Sequence, residues 1–263
     1  MRNRMFKVGN VVPKLKVADV TYNVNEIIKT IEENSDCGLL VYPELCITSY
    51  TCGDLFNNDA LLDKALEGLK RIADCTKDKW GLTVVVSLPI RIKNNLFNCA
   101  AYVSEGKLVG LVPKINIPTY SEFYESRWFV SGKEFRGQII QFDGYWVPFG
   151  KELLFEDANS EVIIGTDICE DLWIPDKPST HACLAGANII VNPSASDETI
   201  GKQDYRRSLV SQQSADCYCA YLYVSSGVDE SSTDMVFSGH CMICENGSML
   251  ADDIFPERSY VQT

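Results

Sequence analysis

The stretch EVIIGTDICEDLW, residues 161–173, decides how the chain is read. Its first half is a short apolar run with β-branched residues, the pattern of a buried strand. The run ends in a cysteine that is followed at once by Glu170 and Asp171. Negative neighbours disfavour a thiolate and raise a thiol's pKa. If Cys169 only fills the core, the two acids are unexplained. If it is a nucleophile, a cation must reach it from elsewhere in the chain.

Working outward, similar runs recur at GLLVYP (38–43), LTVVVSLP (82–89), NCAAYVS (98–104), KLVGLVP (107–113), NIIVNPS (188–194) and CYCAYLYVSS (217–226). Helical patterns lie between several of them. Residues 21–34, with a threonine as candidate cap, carry Val24, Ile27, Ile28 and Ile31 at helical spacing. Residues 59–79 carry Leu61, Leu62, Ala65, Leu66, Leu69, Ile72 and Ala73, and 178–186 and 203–215 are two further segments of this kind. Apolar strands joined by helices predict layers of helix packed on sheet, in one α/β domain over residues 1–263 without repeat or linker. The runs 98–104 and 107–113, with EGK at their junction, predict a hairpin. The sequence stops at SYVQT without a clear terminal element, as expected of a piece of something longer.

Composition narrows the function. Of 263 residues, 46% are hydrophobic, which is enough for a full core. The net charge of −12 and a pI near 4.7, with no Lys/Arg stripe, argue against binding to nucleic acid or to an anionic membrane surface. No apolar run approaches the roughly 20 residues of a membrane helix, and MRNRMFKVGN has no apolar core of a signal peptide. A cytoplasmic protein is expected, in which the eleven cysteines are mostly reduced and act as small buried hydrophobes.

Several kinds of chemistry are poorly supported. His181 and His240 are the only histidines, and neither accompanies a G-x-S-x-G elbow, so serine–histidine catalysis has no basis. Cys217, Cys219, Cys241 and Cys244 have zinc-like spacing, but they fall in strand-like text where a core role is natural, and no metal site is assigned. VSSGVDESS (224–232) looks superficially like a phosphate loop, yet it lacks a second glycine and an adjacent cation, and reads as a turn. What remains is a set of three strand ends. Glu44 follows LLVYP, Lys114 follows LVGLVP, and Cys169 follows EVIIGTDI. Strand ends of α/β sheets are where sites are commonly built. Lys114 supplies the missing cation, and Glu44 supplies a base to take the thiol proton.

These stretches resemble the nitrilase (carbon–nitrogen hydrolase) superfamily, whose catalytic trio is Glu, Lys and Cys. The longer motifs YPELCITSYTCGDLF (42–56), VPKINIPTYSEFYESRWF (112–129), DICEDLWIP (167–175) and NPSASDETIGKQDYRRSLV (192–210) are similar to the N-terminal glutaminase domains of glutamine-dependent NAD+ synthetases. The resemblance implies Glu44 as general base, Lys114 as cationic stabiliser, Cys169 as nucleophile and Glu122 as the superfamily's second glutamate. It also implies glutamine contacts at Tyr120, Glu170, Trp173, Ser196 and Lys202. The implied fold is a four-layer αββα sandwich, in a homo-oligomer that passes ammonia through a tunnel to a synthetase domain. The glutaminase reaction needs no cofactor; ATP and Mg belong to that synthetase domain, whose S-G-G-x-D-S loop has no match here. Two other readings remain open: a stand-alone amidase or nitrilase acting on another amide or nitrile, and a non-catalytic binding domain that keeps the fold.

Overall fold

In the computed structural model, which describes residues 5–256 and 260–263, the apolar runs collect into two mixed sheets and a short hairpin. The first sheet has the spatial order β16 (Tyr260–Gln262), β1 (Val8–Val12), β2 (Leu39–Val41), β3 (Thr83–Ile92), β4 (Asn95–Ser104), β5 (Lys107–Pro113), β9 (Tyr145–Phe149), β8 (Gln138–Phe142). The second has the order β10 (Phe155–Glu156), β11 (Ile163–Thr166), β12 (Ile189–Ser194), β13 (Ala220–Ser225), β14 (Cys241–Glu245), β15 (Ser248–Asp253). The hairpin pairs β6 (Thr119–Tyr120) with β7 (Phe123–Tyr124).

Strands β1, β2 and β3 are parallel, and so are β11, β12 and β13. Parallel neighbours need a crossover. It is provided by α1 (Val20–Glu33), α2 (Asp59–Cys75), α3 (Pro178–Leu184) and α4 (Lys202–Cys217) in turn. The expected hairpin is present as β4–β5; Glu105 (φ 49°) and Gly106 (φ 80°) supply the pair of left-handed residues that a tight turn needs.

The helices form where apolar residues repeat on one side. Helix α1 buries Val20, Val24, Ile27 and Ile31. Its cap is Asp19 rather than a threonine, since the Asp19 carboxylate accepts the Tyr22 N–H at 3.0 Å. Helix α2 ends at Cys75, where Thr76 turns back to donate its hydroxyl to the Ala73 carbonyl at 2.7 Å. Helix α4 runs through Cys217 and stops at Tyr218, which adopts φ 51°. The segment expected to be a strand from residue 217 therefore begins as helix, and β13 starts only at Ala220.

Alternation along each strand sorts side chains to two faces. Leu40, Val84 and Val86 meet Val24, Ile27, Leu62 and Leu69 of the helices α1 and α2. Leu39, Val41, Val85 and Tyr102 face the other way and meet Ile164, Val191, Leu222 and Val224 of the second sheet. The far face of that sheet packs Ile190, Tyr221 and Tyr223 with Val210 of α4. Burying each such side chain contributes about 1.5–3 kcal/mol, so three apolar seams hold an α/β sandwich together. At Gly165 on β11 an added Cβ would stand 2.7 Å from that of Ala182, so α3 rests directly on the strand that leads to Cys169. Among the described residues no helix is long and apolar enough to cross a membrane.

Candidate active site

The two sheets bring three of their strand ends to one place. Glu44 lies just beyond β2, and its N–H donates to the Ser194 carbonyl of β12 at 3.2 Å. Lys114 follows β5 directly, and its N–H donates to the Asn98 carbonyl of β4 at 2.8 Å. Cys169 opens the 3₁₀ turn Cys169–Leu172 that follows β11. The carboxylate and the ammonium thus come from the first sheet and the thiol from the second.

Lys114 is fully buried and doubly paired. Its Nζ donates to Glu44 Oε1 at 2.6 Å and to Glu125 Oε1 at 2.7 Å. Asn98 Nδ2 donates to Glu44 Oε1 at 2.6 Å, and the Tyr50 hydroxyl donates to Glu125 Oε1 at 2.8 Å. Among the described residues the second oxygen of each glutamate, Oε2, has no hydrogen-bond partner. Burial works against the charge on Lys114, but Glu125 and Glu44 outweigh it and hold the ammonium well above its ordinary range. Burial pushes the Glu125 carboxyl up to about 7, although Lys114 pulls the other way.

The glutamate that reaches Lys114 is therefore Glu125; Glu122 does not make that contact. Residues 119–124 fold back as a tight hairpin with Ser121 at φ 50°, which leaves Glu122 at its turn. Phe123 and Glu125 are buried, Glu122 is half-buried and Tyr124 exposed. The alternation follows from the hairpin: an inward Phe123 brings Glu125 inward and turns Glu122 to the rim.

Cys169 is held in a left-handed conformation, φ 47°, which costs a non-glycine residue about 1–2 kcal/mol and needs support. The support is a chain of buried polar contacts. Asn192 Oδ1 accepts the Cys169 N–H at 2.7 Å, Asn192 Nδ2 donates to the Tyr221 hydroxyl at 2.9 Å, and that hydroxyl donates to Asp167 Oδ2 at 2.7 Å. Burial raises the Cys169 thiol well above its ordinary value, Glu44 and Glu125 raise it further, and Lys114 and the Ala195 N–H lower it. Burial and the two glutamates thus favour the thiol form, and nucleophilic chemistry at this residue calls for a base. The two acids after it are accounted for. Asp171 is buried and turns back to accept the Ile168 N–H at 2.9 Å. Both oxygens of Glu170 accept from the Tyr120 hydroxyl, at 2.9 and 3.1 Å.

A cavity of 380 Å³ opens onto Cys169, with Tyr120, Glu122, Glu170, Trp173, Ser196 and Lys202 around it. All the candidate contact residues thus face one space, with Glu44 and Lys114 fully buried nearby. Lys202 pairs with Asp197, and its ammonium stands 5.4 Å from the ring centres of both Phe123 and Trp173. Ser196 is buried, its N–H donating to Ser225 Oγ at 3.0 Å. A larger cavity of 550 Å³ is lined by Asn116, Thr166 and His181 among others and contains none of the trio.

The remaining motifs have structural uses. His181 is exposed and pairs with Asp176 at 2.7 Å, while His240 is buried between Arg206 at 2.9 Å and Asp252 at 2.8 Å. Within residues 224–232 the Glu230 carboxylate accepts the N–H groups of Tyr50 and Thr51 at 2.7 and 3.2 Å; a carboxylate stands where a phosphate loop would offer donors. Among the described residues no three His, Cys, Asp or Glu side chains gather as metal ligands. Residues whose place in the site was missed from sequence are Glu125, Asn98, Tyr50, Asn192 and Asp171. Asn98 carried a readable signal, a lone amide inside the apolar run FNCAAYV.

Comparison with known proteins bears on the family and the fold. Residues 7–253 match the carbon–nitrogen hydrolase family. The glutamine-dependent NAD(+) synthetase of Mycobacterium tuberculosis is 36% identical over 245 residues, covering 92% of this chain and 36% of that protein. The protein of the same name from Aquifex aeolicus is 30% identical over 230 residues, 86% of this chain and 36% of its own length. The chain thus spans about a third of the length of these curated relatives. The crystal structure of a glutamine-dependent NAD(+) synthetase from Cytophaga hutchinsonii superposes with a TM-score of 0.86 at 29% identity, over 98% of this chain and 42% of that one. An amidase from Nesterenkonia sp. shares the fold at a TM-score of 0.76 and 17% identity, over 99% of this chain and 90% of that one. With its motifs, its two-sheet architecture and a match over nearly its whole length in accord, the chain belongs to the carbon–nitrogen hydrolase family.

Proposed function

We propose that this chain is a glutaminase domain, which hydrolyses the side-chain amide of L-glutamine through a thioester on Cys169 and releases ammonia for NAD+ synthesis. The observation that carries the reading is the buried Glu44–Lys114–Glu125 assembly beside a cysteine that lines a cavity with polar walls. The names of the relatives support glutamine as the substrate and a synthetase domain as the recipient of ammonia; ATP and Mg belong to this proposal as requirements of that domain, not of the amide hydrolysis.

The chemistry follows from the groups in place. Glu44 Oε1 is occupied by Lys114 and Asn98, and the unpartnered Oε2 is the oxygen suited to accept the thiol proton. The thiolate attacks the amide carbon, and negative charge moves to the amide oxygen. Lys114 and a backbone N–H, that of Glu170, stabilise the oxygen; a well-placed donor of this kind is worth roughly 3 kcal/mol. The Glu44 proton then passes to the departing nitrogen, the C–N bond breaks and ammonia leaves. Glu44 next takes a proton from water, which attacks the thioester, and glutamate leaves as the thiol is restored. Glu125 keeps Lys114 charged and oriented. Glu170 meets the α-ammonium of glutamine, Lys202 the α-carboxylate, and Tyr120, Trp173 and Ser196 bound the pocket.

The test is ammonia release from glutamine, asparagine and simple amides by this chain and by Cys169→Ala. Glutamine turnover that disappears in Cys169→Ala is expected. Turnover that survives the substitution contradicts the thioester, and a preference for simple amides over glutamine contradicts the substrate.

A further inference from the structure

The turn that carries Cys169 is pinned at successive residues. Asp167 Oδ1 accepts the Ser179 N–H at 2.7 Å, Asp167 Oδ2 accepts the Tyr221 hydroxyl at 2.7 Å, and the Cys169 N–H is held by Asn192 at 2.7 Å. Those partners belong to β12, β13 and α3, so they fix the turn to its own sheet. Asp171 reaches the other way. Its Oδ2 accepts the Ile168 N–H at 2.9 Å, while its Oδ1 accepts both the backbone N–H of Asn116 at 3.0 Å and the Asn116 side-chain Nδ2 at 2.7 Å. Asn116 lies on the segment that leaves β5 immediately after Lys114. One buried carboxylate thus clasps the backbone just before the thiol and the backbone just after the ammonium.

A carboxylate suits this place for a simple reason. Three N–H donors converge on its two acceptor oxygens. An amide would offer one oxygen and turn an NH₂ group toward a donor. The separation it governs matters because Glu44 and Glu125 both oppose a thiolate at residue 169, while Lys114 favours it. In a buried site such charges act strongly, and their balance changes with distance.

We infer that Asp171 is a positioning residue that sets the separation between the Cys169 thiol and the Lys114 ammonium by joining their two segments. The kinetic part of this inference rests on Cys169 being the nucleophile; the geometric part is read without turnover.

The experiment compares this chain with Asp171→Asn and with the exchange variant Asp171→Asn/Asn116→Asp. Two quantities are followed: steady-state glutamine hydrolysis, and the pH dependence of Cys169 alkylation by iodoacetamide, read on its own peptide by mass spectrometry. Asp171→Asn is expected to lower kcat about 100-fold, the scale of a displacement near 1 Å, with KM little changed. Its alkylation profile should move to higher pH, because the favourable charge has withdrawn. The exchange should recover part of both, since a carboxylate and an amide again face each other across the gap. A wild-type kcat with an unmoved profile overturns the inference, and so does a kcat loss with an unmoved profile, the mark of a residue that only supports the fold. If Asp171→Asn does not fold, Asn116→Ala removes the 2.7 Å donor alone. It should move the profile in the same direction by less, and an unmoved profile there overturns the inference. Undiminished glutamine hydrolysis by Cys169→Ala would instead remove the nucleophile assignment, leaving the alkylation profiles to decide the role of Asp171.

Discussion

Lys114 and Glu44 form an ion pair at 2.6 Å in which neither side chain is reached by solvent. An ion pair withdrawn from water gains little net stability over an apolar pair of the same size, but removing one partner leaves an uncompensated buried charge. Here the loss would be compounded, because Lys114 also serves Glu125.

Lys114→Met is expected to abolish amide hydrolysis and to lower the unfolding free energy by about 3–5 kcal/mol, the range for breaking a buried pair. Urea denaturation measures it. A loss below about 1 kcal/mol, the scale of an exposed pair, would mean that the two glutamates are held by something other than Lys114.

The two nearby glutamates should separate cleanly. Glu125→Gln removes a charge that touches Lys114, and turnover should fall about 100-fold or more, within the range for loss of a group that tunes acid–base catalysis. Glu122→Gln changes a half-buried residue at the cavity rim and should act mainly on KM. A reversed order of kcat losses in steady-state assays would return the positioning role to Glu122.

Stability should depend on pH in a stated direction. Burial drives the Glu125 carboxyl from 4.5 up to about 7 against the pull of Lys114. It keeps its proton to higher pH when folded, so folding takes up a proton in this window. Its contribution to stability is fully present below the unfolded value, near pH 4, and is lost as pH rises through 7. Replacing Glu125 by Gln should flatten the fall in urea midpoint between pH 5 and pH 7.5. An equal or steeper fall in the variant would be the contrary result.

Substrate recognition gives the fourth prediction. Glu170 is half-buried and accepts hydrogen bonds from Tyr120 within the cavity. Glu170→Gln should raise KM for glutamine more than for an amide that lacks the α-amine. Equal changes for the two substrates would show that Glu170 does not meet the ammonium group.

Much of this architecture was legible because it follows from apolar periodicity. The run 107–113 is β5 as read, and Glu44, Lys114 and Cys169 were identified simply as polar residues at the ends of apolar runs. The misreadings came where periodicity is silent. Cys217 and Cys219 looked like strand residues because CYCAYLYV is apolar throughout; the left-handed Tyr218 that ends α4 between them leaves no mark in composition. Glu122 and Glu125 are both acids beside aromatics, and only the hairpin decides which one turns inward. Asn192 and Asp171 act through backbone N–H groups, and such partners have no sequence signature.

Cys169 rides on one sheet and Glu44 and Lys114 on the other, so their alignment is inherited from how the two sheets mate. The methyl and aromatic groups between them, Val85 and Leu222 among them, act as shims: trimming one would let the halves settle and detune the reaction from a distance, with every polar group intact. Tolerance to substitution should accordingly be narrower along this hidden joint than on the outer helix faces.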